Sequence, residues 1–126
     1  PAMEETAPME EAVMSKCPAT ETRDWSAWVN TFPGPDAKPM LHVAGQVKLP
    51  KPGYTESWTV GMADRSAVPM QQLILELSEP EGMVAQVETW RQVSFATPAI
   101  AETYKSVVIK CGGDVLIEIT EIMDVQ

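Results

Sequence analysis

From Met40 onward apolar and polar residues alternate with a period of two, and that alternation restricts the chain to β structure. Leu41, Val43, Gly45, Val47 and Leu49 share one parity, while His42, Gln46 and Lys48 hold the other. Successive side chains of a strand point to opposite faces, so this segment buries one face and wets the other. Pro50-Lys51-Pro52-Gly53 turns the chain, and Trp58, Val60 and Met62 alternate with Ser57 and Thr59 in a second strand. Ala63 to Pro69 is a polar loop carrying Asp64 and Arg65, and Leu73, Leu75 and Leu77 set the inner face of a third strand. Glu79-Pro80-Glu81-Gly82 has the residues of a turn. Val84 to Phe95 is long for one strand and reads as two, with a bend or bulge near Trp90. Val107, Ile109 and Cys111 form the next face, Gly112-Gly113 suits a tight hairpin, and Val115, Ile117 and Ile119 return. The parity shifts at Ile122, which marks a bulge or an end of pairing.

The front of the chain has a different period. Trp25, Trp28, Val29 and Phe32 fall at i, i+3, i+4 and i+7, which predicts a short helix over Asp24 to Phe32 with Asp24 at its start. Pro33-Gly34-Pro35 would end it. One short helix, about seven strands and frequent turn signals predict an all-β antiparallel sandwich, immunoglobulin- or fibronectin-like, with a small β-barrel as the alternative. Residues 1–16 hold four Glu, one Lys and no aromatic residue, and read as a disordered acidic tail or a spacer left behind a signal peptide. Pro1 reads as a processed or trimmed start, and residues 17–126 as a single β-sandwich domain.

Charge narrows the function. Asp plus Glu number 18 against 9 Lys plus Arg, a net charge of −9. That sign opposes nucleic-acid binding, which needs a basic surface to displace counterions. It also opposes electrostatic docking on anionic lipid, and no uncharged stretch is long enough to predict an integral membrane protein. The two cysteines, Cys17 and Cys111, sit at opposite ends of the domain and read as one disulfide, which places the chain in an oxidising compartment, periplasmic or secreted. Two unrelated buried thiols are the alternative.

The succession Cys17, Trp25-Ser26-Ala27-Trp28, Pro33-Gly34-Pro35, Leu41-His42-Val43-Ala44-Gly45, Pro52-Gly53-Tyr54 and Cys111-Gly112-Gly113 resembles a group of small exported bacterial proteins of unknown function. The similarity spans residues 17–125. It implies export and a β-rich fold, and carries no activity with it.

Residues for chemistry are sparse. His42 is the single histidine, on the outer face of a strand, and no Gly-x-Ser-x-Gly elbow or Cys-x-x-Cys pair occurs. No metal-ligand spacing and no calcium loop appear, so neither a metal nor a cofactor is expected. Glu76, Glu88 and Glu118 take outward strand positions, where carboxylates serve solubility. No catalytic residue is therefore assigned, and the chain reads as a non-enzyme. Trp90, Arg91 and Tyr54 are the candidate binding residues, because an exposed Trp–Arg pair has the composition of a binding hot spot. The partner expected is a protein or an envelope component. The alternatives are a protease inhibitor, presenting Ala63 to Pro69 or Gly112-Gly113, and a carrier of small molecules or carbohydrate.

Overall fold

The structure is a computed structural model that describes residues 17–30 and 38–125. The tail read over residues 1–16 and the Pro33-Gly34-Pro35 stop lie outside the described residues. Eight strands follow in order: β1 Glu21–Asn30, β2 Met40–Leu49, β3 Thr55–Ala63, β4 Met70–Ser78, β5 Thr89–Pro98, β6 Ser106–Cys111, β7 Asp114–Ile119 and β8 Ile122–Val125. They form two four-stranded sheets, ordered β5-β2-β1-β8 and β3-β4-β6-β7. Strand β2 keeps the predicted alternation throughout: its odd residues are buried and its even ones half-buried. Its buried face meets that of β4, where Leu73 and Leu75 are fully enclosed, and Val107 and Ile109 of β6 complete the core. Burying a side chain of this size contributes about 1.5–3 kcal/mol, so the alternation alone orients both sheets.

The sheets are mixed, which corrects the all-antiparallel expectation. Strand β8 pairs in parallel with β1, and β6 in parallel with β4. Neither sheet closes into a barrel. Strand β5 pairs with β2 without interruption from Thr89–Leu49 to Pro98–Met40, so the bend expected near Trp90 is absent and residues before Thr89 are not strand. Val60 and Met62, read as a buried face, are exposed. They lie on an edge strand, and the pairing slips between Val60 and Ala63.

No helix occurs among the described residues, and Asp24 to Asn30 is strand. Trp25, Ala27 and Val29 satisfy a period of two, and aromatic and β-branched residues favour the pleated surface. The helical spacing arose because the aromatic Trp28 sits on the outer face against His42, three residues after Trp25. Separately, one extra residue sits in the strand ahead of Ser26. Arg23 pairs with Gln46 and Ser26 with Ala44, so Asp24 and Trp25 together face Gly45. Asp24 takes φ 60°, a conformation that Asp tolerates better than most residues. This bulge turns the Trp25 indole onto Gly45, where an added Cβ would overlap the ring. The indole Nε1–H donates to Thr22 Oγ1, which itself donates to the Gln46 carbonyl.

Cys17 and Cys111 are bonded across a sequence separation of 94, with their Cα atoms 5.1 Å apart. The bond ties the segment entering β1 to the end of β6, and so joins the two sheets. Thr20 N–H donates to the Lys48 carbonyl at 2.9 Å, which extends the β1–β2 pairing toward that bond. Directly after Cys111, Gly112 and Gly113 have φ of 63° and 88°, the twist that a two-residue hairpin needs.

Candidate functional site

Tyr54, Trp90 and Arg91 meet at one end of the fold, where the turn after β2 passes the start of β5. All three line a cavity of about 220 Å³, together with Leu49, Lys51 and Thr89. Tyr54 is buried. Trp90 and Arg91 are neighbours in a strand and therefore face opposite ways. Trp90 stands beside Lys48 on the outer face, whereas Arg91 pairs across from the buried Val47 on the inner face. The two do not form the joint patch that their adjacency suggested.

Trp90 has a different arginine. The Arg23 guanidinium lies 3.8 Å from the ring centroid, in cation–π contact. Arg23 Nε–H donates to Gln46 Oε1 at 2.7 Å, which fixes the guanidinium over the ring. Lys48 stands between Glu21 and Glu88, 3.4 Å from each carboxylate. The hydrogen bond and charge of Glu21, followed by the charge of Glu88, hold the Lys48 ammonium above its ordinary pKa. Exposed pairs of this kind contribute little to stability, but they fix the charge pattern around Trp90.

Arg91 turns inward to Glu56 on β3, Nη2 to Oε1 at 3.1 Å. The other Glu56 oxygen accepts from Trp58 Nε1 at 2.9 Å and from the Ser94 amide at 3.3 Å. Trp58 stacks on Phe95 with centroids 5.3 Å apart. One carboxylate thus links the edge strands of both sheets and occupies an edge amide that could otherwise recruit a foreign strand. Arg91 Nε is buried without a hydrogen-bond partner among the described residues.

His42 lies on the outer face as read, with its ring parallel to Trp28 at 5.2 Å. Trp28, read as part of a buried helix face, is half-buried on that same outer face. Glu76, Glu88 and Glu118 are exposed. Among the described residues no group of three His, Cys, Asp or Glu could hold a metal ion, and no helix is long and apolar enough to cross a membrane. The sequence reading missed Arg23 and Glu56. Arg23 reaches Trp90 only through the joint register of β1, β2 and β5, while Glu56 alternates with Trp58 on an edge strand and could have been placed inward by parity. Comparison of the chain with protein families, curated proteins and solved structures finds no match.

Proposed function

We propose that the protein is a non-catalytic binding module, exported to the periplasm or secreted, with an immunoglobulin- or fibronectin-like sandwich and a protein or envelope component as its partner. The observation that carries this reading is Trp90 held beneath Arg23. Trp and Arg are enriched at the residues that dominate binding energy, and a ring fixed in advance loses less entropy on association. The disulfide supports export, since such bonds persist in oxidising compartments. The cavity beside Trp90 favours a second reading, a carrier of a small polar ligand, because Arg91 keeps one buried donor unpaired there. Its volume of about 220 Å³ falls below the roughly 300–1,000 Å³ of ordinary ligand pockets, so surface binding ranks first.

Capture from an envelope fraction, with the intact chain and a Trp90→Ala variant as matched baits, tests the first reading. A partner held by the wild type should fall by about 30-fold or more with Trp90→Ala, the loss typical of a hot-spot residue. Recovery of the same set by both baits would remove the Trp90 surface from the function.

A further inference from the structure

The loop between β3 and β4 is built unlike an ordinary turn. Residues Asp64 to Val68 are all exposed, yet both ends of the loop are fastened. Asp64 N–H donates to the Met70 carbonyl at 3.2 Å. In return, Asp64 Oδ1 accepts from the Met70 amide and from the Ser66 amide, each at 3.2 Å. Pro69 is fully buried, and its carbonyl accepts from Lys105 N–H at 2.8 Å. Below the loop the slip in β3 frees the carbonyls of Gly61 and Met62, and the buried Gln71 side chain donates to both. The exposed backbone is therefore held from beneath on both sides.

The side chain at its tip has a chemistry of its own. Of the three arginines, Arg23 lies on Trp90 and Arg91 on Glu56, whereas Arg65 is exposed and makes no ion pair among the described residues. Small residues, Ser66 and Ala67, follow it. An exposed guanidinium on a backbone fastened at both ends fits a deep pocket with a carboxylate at its floor, which is how trypsin-like serine proteases recognise their substrates. The glycine turn at Gly112-Gly113 offers no side chain for such a pocket.

We infer that Ala63 to Pro69 is a reactive-site loop that inhibits trypsin-like serine proteases, with Arg65 in the enzyme's acidic specificity pocket. The inference rests on the exported binding-module reading and names one class of partner for it. Binding sets the Arg65–Ser66 peptide bond against the catalytic serine. If the serine oxygen adds to the Arg65 carbonyl carbon, the bond to the Ser66 nitrogen breaks, and the serine proton reaches that nitrogen through the enzyme's histidine. Asp64 Oδ1 and the strand pairing hold the new amine in place, so its return to the acyl carbon outruns hydrolysis. Preorganisation makes the loop a tight ligand and a poor substrate at once.

Titration of pancreatic trypsin and chymotrypsin with the intact protein tests this, with mass spectrometry of the chain after incubation. Trypsin activity should fall stoichiometrically, and Arg65→Ala should weaken inhibition by about 100-fold or more, as expected for the central anchor of an interface. Arg65→Phe should move inhibition to chymotrypsin. Asp64→Ala should turn the loop into a substrate, cut between residues 65 and 66. Unchanged trypsin activity at about 100 μM protein, far above any useful affinity, would overturn the proposal. So would rapid, complete cleavage of the wild type, or inhibition that survives Arg65→Ala. Trp90-dependent capture, measured in parallel, separates failure of the loop from failure of the binding-module reading.

Discussion

Replacing Cys17 and Cys111 together by alanine should lower the unfolding free energy by about 4–5 kcal/mol, the chain-entropy value for a loop of this length. The bond closes 94 residues of sequence, nearly the whole described chain. Small domains have only about 5–15 kcal/mol of stability in all, so the variant should sit near the edge of folding at room temperature. Urea denaturation of the oxidised protein, the reduced protein and the double variant measures the effect. The reduced protein and the variant should agree closely, because Cys111 is buried and alanine keeps its site apolar. A difference below about 1 kcal/mol would mean that the two sheets hold together by packing alone and that the crosslink adds nothing.

Gly45→Ala should also be costly, by about 2–3 kcal/mol as an overpacking substitution, although alanine ordinarily suits a strand better than glycine. The added Cβ would overlap the Trp25 indole. The ring cannot withdraw freely, because the Asp24 bulge aims it and Thr22 accepts its Nε1–H. A double-mutant cycle isolates the cause. In a Trp25→Ala background the same Gly45→Ala change should be neutral or slightly stabilising, giving a coupling of about 2 kcal/mol or more. Equal losses in both backgrounds would show that the glycine is needed for another reason.

These residues also show where sequence reading succeeds and where it stops. Strand β2 was legible residue by residue, since its buried face holds apolar residues and one glycine with no break. The Gly112-Gly113 hairpin and the outward place of His42 followed from equally local rules. Strand β1 was misread because Trp28 lies on the outer face against His42, three residues after the inward Trp25, and with Val29 it imitates a helical spacing although Trp25, Ala27 and Val29 keep a period of two. The mixed pairing could not be read at all: β8 meets β1 and β6 meets β4 across long stretches of sequence, and a parallel neighbour leaves no local mark. Tyr54, Trp90 and Arg91 were named from composition, and they do line one cavity. Their orientations were not legible, because the expected bend at Trp90 obscured the alternation that sends Arg91 inward to Glu56. The Arg23–Trp90 contact depends on three strands in register and is invisible to any local rule.

Intact-mass measurement after thiol alkylation, on protein recovered from its native cells with and without reductant, tests most directly whether this is a crosslinked fold of an oxidising compartment. Cys17 and Cys111 should both resist labelling until reductant is added, and then take two labels together. Two labels on the unreduced protein would contradict export, and would leave the Trp90 surface and the Arg65 loop facing a compartment other than the one proposed.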